Sequence, residues 1–350
     1  MRFRANITNL QTFTKFTASL ATLGHIAWVR LDEKDVRFTV VPEQGTQVWS
    51  VLTIDTIFET YTIQSAAENN TINLEVPLAP LQGALKSAQN AVAANIRLTK
   101  KDNVPLLSLT ITTARINSSG LAGGLNSSAG GSTQGREEDD VAVFGARGQE
   151  HETTVTQDIP VRVLAPASVE GLHEPRCREP EVHITLPNLV QLKSISDRFT
   201  KLALSTGTND RALKNGSFLG PKLELSGNMH GCLRISLNTD ALQISSLWTG
   251  LENPELDPDQ VADGEQGLQN HPSTRMKELG DPTGQNDQGW ATVRVEGKDW
   301  GRVLSVGRLG GKVIACFCHD HAIIMYVFIG GEDTGTGESV LTYYISSYSR

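Results

Sequence analysis

The chain has 350 residues, of which 39% are hydrophobic and 20% charged, and a formal net charge of −8. That length suits two domains better than one, and the composition is that of a globular protein able to bury a sizeable core. The acidic balance excludes a generally basic nucleic-acid binder but not a local basic surface, because clustering decides polyanion binding more than the total does.

Four cysteines, at 177, 232, 316 and 318, lack the spacing of a disulfide framework and read as reduced thiols of a cytosolic or nuclear protein. No apolar run reaches the roughly 18 residues that span a membrane. The opening MRFRANITNL has no apolar signal-peptide core.

Met1–Ile7 reads as a strand with Phe3, Ala5 and Ile7 on one face. Asn9 is placed to cap a helix over Leu10–Leu23, whose apolar positions are 10, 13, 16, 20 and 23. Strands at about 25–31, 35–41, 47–54 and Phe58–Ile63 follow. Thr71–Val76 alternates with period 2 and leads through Pro77 and Pro80 into a second helix. Its stripe is Leu78, Leu81, Leu85, Ala88 and Val92, while the opposite face carries Gln82, Lys86 and Asn90 and no acid. Strands Ile96–Thr99 and Leu106–Thr112 come next, joined by a Lys-Lys-Asp-Asn turn. One helix, a meander, a second helix and more strands make an α+β pattern.

Residues 114–153 break that pattern. They are rich in Gly and Ser, contain Thr133-Gln134 and the acidic run Glu137–Asp140, and are expected to form a disordered insertion. Thr154–Leu164 resumes as a strand, and the proline-containing Pro166–Glu179 reads as a linker.

The second half then repeats the first. Asn188 and Leu189, Leu192, Ile195, Phe199 and Leu202 each lie 179 positions after Asn9 and the five apolar positions of the first helix. Strands at Lys222–Ser226, Cys232–Leu237 and Ala241–Trp248 precede a second polar insertion, 254–289. Strand Ala291–Val295 leads into a helix over Lys298–Arg308, where Trp300 and Leu304 lie 219 positions after Leu81 and Leu85. Strands Val313–Cys318, Ala322–Ile329 and Ser339–Ile345 follow.

No Walker A, GxGxxG, GxSxG or HExxH sequence is present. Cys316-Phe-Cys318-His319-Asp-His321 offers four ligand types, but they are too crowded along one strand and turn to close a tetrahedron around one ion. Glu137–Asp140 reads as a solvated acidic run. No catalytic residue, metal or cofactor is expected.

The charges are distributed unevenly. Lys15 sits on the first helix, Lys86 on the second, Lys193, Arg198 and Lys201 on the third, and Lys298, Arg302 and Arg308 on the fourth. Set against Asp197 and Asp299 they give the helices a net +6, so the rest of the chain carries −14. Four helices of one sign against the bulk charge point to an anionic partner.

Ala67-Glu-Asn-Asn70 before a strand, then Leu81-Gln-Gly-Ala-Leu-Lys-Ser-Ala-Gln-Asn-Ala91, then a basic strand, resembles the Hus-type subunit of the DNA-damage checkpoint clamp, the heterotrimer called nine-one-one. The resemblance extends from Met1 to the end of the chain, outside the two insertions. It implies a two-domain sliding-clamp fold, with clamp domains at 1–165 and 180–350 joined by 166–179, outer antiparallel sheets and four inner helices. It further implies a non-catalytic ring subunit in the nucleus, partnered by two Rad-type subunits and threaded by double-stranded DNA. A clamp-loader ATPase, repair enzymes and checkpoint signalling proteins are the other implied partners, and no membrane is involved.

By analogy with related clamps, Asp158, Ile159, Val161, Val163 and Leu164 belong to the strand that pairs with one neighbour. Leu242, Ile244, Leu247 and Trp248 belong to the strand that pairs with the other. The helix cations would meet DNA phosphates, and the linker would run beside the clamp's peptide-docking pocket. One departure is Ser346, where the family tends to carry proline after Tyr343-Tyr344-Ile345. The alternatives are a homotrimeric replication clamp and, from another class, a DNA-repair nuclease using scattered acids.

Overall fold

The computed structural model describes residues 1–43, 45–67, 69–116, 150–206, 220–256, 264–330 and 339–348. Strand β1 (Arg2–Ile7) buries Phe3, Ala5 and Ile7 on one face. Asn9 Oδ1 accepts the Thr12 N–H at 3.0 Å and caps α1 (Leu10–Ala21). An antiparallel meander of β2 (Ile26–Leu31), β3 (Asp35–Val40) and β4 (Gln47–Thr53) follows. The short helix α2 (Ile54–Ile57) redirects the chain into β5 (Phe58–Gln64) and β6 (Ile72–Pro77). Helix α3 (Leu78–Ser87) leads to β7 (Ala93–Lys101), β8 (Val104–Ile116), β9 (Glu150–Pro160) and β10 (Arg162–Leu164).

After α4 (Pro166–Val169) come β11 (Val182–Thr185) and the long helix α5 (Leu189–Thr206). Strands β12 (Lys222–Gly227), β13 (Leu233–Asn238) and β14 (Gln243–Trp248) precede α6 (Gly264–Asn270) and α7 (Pro272–Lys277). Strand β15 (Ala291–Glu296) feeds α8 (Gly297–Val303), which tightens into a 3-10 segment, Leu304–Arg308. Strands β16 (Val313–Cys318), β17 (Ala322–Ile329) and β18 (Ser339–Ser346) complete the order.

Three antiparallel sheets result. One has five strands in the order β5-β1-β7-β8-β9, one four strands in the order β14-β13-β12-β15. The third has nine, β10-β6-β2-β3-β4-β18-β17-β16-β11, and joins the two halves of the chain where β18 pairs with β4. One hydrophobic core runs across both halves. The repeat is visible in it: Leu81, Leu85, Trp300 and Leu304 are all buried.

The elements differ from the sequence expectation in several places. Helix α3 stops at Ser87, and Val92 is 71% exposed rather than part of the apolar stripe. The chain leaves the helix there because Val92 N–H donates to Thr112 O and β7 must enter its register with β8. Strands β8 and β9 extend to Ile116 and from Glu150, taking both ends of the expected insertion into the sheet. Residues 117–149, with Thr133 and the acidic run, lie outside the described residues. The Asp102-Asn103 turn has φ of 49° and 65°, the paired left-handed geometry of a two-residue hairpin.

The expected single strand 154–164 is broken. Pro160 has no N–H to continue the ladder, and Val161 N–H turns back to Pro105 O, so β10 joins the nine-stranded sheet beside β6. Strand β11, which apolar periodicity does not predict, begins at Val182, 179 positions after Phe3 of β1, and is the counterpart of β1 in the repeat.

The second insertion is largely folded, contrary to its polar composition. It is held by hydrogen bonds more than by apolar burial: Asn228 Nδ2 to Asp281 O, His230 Nε2 with Leu279 O at 3.0 Å, and Cys232 Sγ to Pro282 O. Arg234 stacks 4.4 Å over the Trp290 ring. His271 at the start of α7 is buried beside His183 of β11, their ring centres 5.9 Å apart.

His183 Nδ1 lies 3.2 Å from Cys316 Sγ and its Nε2 is buried without a partner. Burial first, and His271 second, push the His183 imidazole down to about 4. The unfolded chain therefore takes up this proton near pH 6.5, whereas the folded protein resists it until about pH 4. Stability is full above pH 6.5 and should fall by about 3 kcal/mol as pH drops to 4. His183→Gln should flatten the dependence of Tm on pH across that window, and an unchanged slope would refute the assignment.

Candidate nucleic-acid and subunit interfaces

The four main helices lie together on one side of the sheets. Helix α1 packs on α3, α5 packs on α8 and the 3-10 segment, and α1 meets that segment across the halves. At the crossing, Thr22 Oγ1 is 3.5 Å from both Arg302 O and Ser305 Oγ. Glycine makes the α5–α8 approach possible. A Cβ at Gly297 would stand 2.3 Å from Thr200 Oγ1 and one at Gly301 would stand 2.8 Å from Asp197 Oδ1.

Each helix turns its apolar stripe inward and leaves a polar face outward, except at the end of α5, where Leu202 is 39% exposed and Ala203 is buried instead. Lys86, Arg198, Lys201, Lys298, Arg302 and Arg308 are exposed there, and Lys15 is half-buried between its neighbours. Both acids of the layer are paired within a turn: Asp299 with Arg302 at 2.9 Å and Asp197 with Lys193 at 3.1 Å. Lys193 stands apart from the other cations. Its Nζ also donates to Gly301 O at 2.7 Å, so it ties α5 to α8. The sequence placed Lys193 on the helix but gave no sign of this tertiary bond.

Strand β9 is one edge of the five-stranded sheet, β5 being the other, and β14 is one edge of the four-stranded sheet, β15 being the other. The free backbone edges of β9 and β14 are templates for another strand. The side chains named from sequence are arranged differently from a simple contact surface. Ile159 and Val161 are core residues, 3% and 7% exposed, because they alternate toward the helices, whereas Leu164 is buried on the opposite face of β10, against the linker. Asp158 is exposed and accepts from Ser108 Oγ, and Val163 is half-buried in β10. On the other edge Leu242, Ile244 and Trp248 pack partly on the core, and Leu247 is 43% exposed.

Apolar side chains that the sequence reading passed over sit at these edges. Val155 of β9 is 45% exposed on the face toward α3, where Gln157 Nε2 donates to Ser87 Oγ at 2.6 Å. Leu204 at the end of α5 is 57% exposed. Strand periodicity alone could have found Val155, which shares the inward face of Ile159.

Since β10 and β11 are opposite edges of the nine-stranded sheet, the segment between them crosses its outer face. Tyr344 O–H donates to Glu174 at 2.9 Å and pins it there. Between segment and sheet lies a cleft of about 370 Å³ lined by Trp28, Arg30, Trp49, Leu172 and Val340, among others. The Cys316–His321 stretch gathers no metal site: Cys316 faces His183, Cys318 donates to Arg178 O, and His319 Nδ1 accepts from Thr292 N–H. Among the described residues no group of three or more His, Cys, Asp or Glu could hold an ion.

This arrangement of outer antiparallel sheets and a common helical layer is that of the sliding clamps. The proliferating cell nuclear antigen of Entamoeba histolytica is similar at a TM-score of 0.59 and 12% identity, with 99% of each chain covered. The clamp of Thermococcus kodakaraensis is similar at a TM-score of 0.59 and 11% identity, covering 99% of this chain and 100% of that one. The family model of the Hus1-like proteins matches residues 1–349, and the chain belongs to that family. The checkpoint protein hus1 of Schizosaccharomyces pombe is 39% identical over 351 residues, 99% of each chain. The human checkpoint protein HUS1 is 26% identical over 263 residues, 73% of this chain and 76% of that one. The chain is thus a checkpoint clamp subunit of the scaffold type, which works with other clamp subunits on DNA.

The helical layer gives a direct test of its packing. Gly297→Ala should cost about 1–3 kcal/mol through the clash with Thr200, read as a shift of the urea midpoint. Adding Thr200→Ala should recover much of that loss, and no recovery would show that α8 does not depend on this approach.

Proposed function

We propose that the chain is the Hus-type member of a heterotrimeric nuclear ring, closed with two Rad-type subunits around double-stranded DNA. Clamp domains at 1–165 and 180–350, joined by 166–179, would each contribute two helices to the lining. Lys15, Lys86, Arg198, Lys201, Lys298, Arg302 and Arg308 would meet phosphates. Such contacts neutralise charge without reading bases, so they hold the duplex while permitting sliding. The observation that carries this reading is the single helical layer in which both acids are ion-paired, with Lys193 and Arg302, while Lys86, Arg198, Lys201, Lys298 and Arg308 are exposed and outnumber them.

Edges β9 and β14 would pair with unlike neighbours, which gives a heterotrimer instead of the more usual homo-oligomer. The cleft under the linker would dock repair enzymes and checkpoint signalling proteins after a clamp-loader ATPase has placed the ring. The chain itself would perform no chemistry.

Lys86→Glu with Arg302→Glu should leave ring assembly intact on gel filtration but shorten the lifetime of loaded clamps on DNA. Equal retention at moderate salt would sink the proposed lining. At the edges, Val155→Asp should abolish copurification with one tagged partner and Leu247→Asp with the other. Loss of both partners from either single change, or of neither, would contradict the two-edge assembly.

A further inference from the structure

The five-stranded sheet has a second face, turned away from the helices. Its strand registers bring Thr62, Arg4, Arg97, Ser108 and Asp158 into one row across all five strands. The next row is Thr60, Asn6, Asn95, Thr110 and Thr156. Arg2 extends the basic group along β1, and Lys101 extends it along β7.

Arg2, Arg4, Arg97 and Lys101 are all exposed. Arg4 and Arg97 are direct cross-strand partners, a pairing of like charges that destabilises a sheet. The acid in the row, Asp158, lies two strands from Arg97, roughly 10 Å by strand spacing, and is engaged by Ser108 Oγ. The arrangement is therefore unfavourable for the protein alone and favourable once an anion covers it.

The shape and chemistry of the face select the anion. The aromatic residues of these strands, Phe3, Phe58 and Tyr61, stack with one another on the core side, leaving no ring outside for an unpaired base. Single-stranded nucleic acid is held mainly by such stacking. Exposed guanidinium groups flanked by the hydroxyls of Thr60, Thr62 and Thr156, with Asn6 and Asn95 half-buried between them and Ser108 buried, fit the phosphates of a duplex instead.

We propose that this outer face is a second, duplex-DNA binding surface, which holds a stretch of double helix outside the ring while another passes through it. The inference rests on the chain's place in a closed ring, and the two can be tested apart. A covalently closed circular duplex cannot thread a closed ring without a loader, so its binding by the assembled clamp reports the outside alone. Arg4→Ser with Arg97→Ser should weaken that binding about tenfold at low salt and reduce the slope of log K against log salt by about 2. Its Tm should be equal or higher, because a like-charge pair is removed. Retention of loaded clamps, which Lys86→Glu with Arg302→Glu impairs, should be unchanged.

Gel filtration shows separately whether the ring has formed. If it has not, the same variant of the lone chain still reports on the face. Unaltered circle binding by the Arg4/Arg97 variant overturns the proposal, as does a single-stranded oligonucleotide that competes better per phosphate. Binding that emerges only after Glu137, Glu138, Asp139 and Asp140 are made amides also overturns it, since the chain's own acidic run would then be the occupant.

Discussion

The pairing of β18 with β4 is the constraint on which the rest depends. Val340 to Tyr344 lie against Val51 to Gln47, and this ladder fuses the strands of two sequence repeats into one nine-stranded sheet. The side chains under it are among the most completely buried in the molecule, with Val48, Leu341 and Tyr343 at 0% exposure. At its end Ser339 Oγ gathers Thr53 N–H and the Thr56 hydroxyl. Once the two halves share a sheet, their helices must share a layer, and the contact of Thr22 with the Arg302–Ser305 turn follows from the seam.

The same sheet dictates the path of the linker. With β10 and β11 at its two extremes, the connecting residues have to cross all the strands between. Hydrogen bonds from Tyr344 to Glu174 and from Arg178 to His319 O hold that crossing against the outer face, leaving the cleft beneath. Inner face, outer face and cleft are thus three consequences of one strand order. They sort the charge as well: the helical side is basic although the chain as a whole is acidic.

Much of this was legible in the sequence because it depends on apolar periodicity. The matching stripes of α1 and α5 up to Phe199, the paired positions Leu81/Trp300 and Leu85/Leu304, and the strand limits Val313–Cys318 and Ala322–Ile329 all rest on burial that alternation or helical spacing reveals. What was missed depends on partners remote in sequence. The insertion around α6 and α7 is anchored by backbone carbonyls and a stacked Arg234, features that leave no period. Lys193 was placed on the right helix, yet its bond to Gly301 needed the tertiary crossing to be seen. The expected edge residues divide at Pro160: Ile159 and Val161 turn into the core, while Leu164 follows β10 into the nine-stranded sheet and is buried under the linker. The family resemblance carried the clamp architecture, while the outer basic rows emerged only from the strand register.

The place of β18 also bears on how the molecule is built. Its ladder partner β4 lies nearly three hundred residues earlier, so the centre of the largest sheet is the last part of it to be synthesised. Until Ser339–Ser346 arrives, β4 presents an unsatisfied edge and the seam's core residues have nothing to pack against. Closing so long a loop is slow, and contacts of such sequence separation delay folding. The nascent first half should accordingly need protection against non-native strand pairing, and damage near residue 340 should open the middle of the protein rather than fray its end.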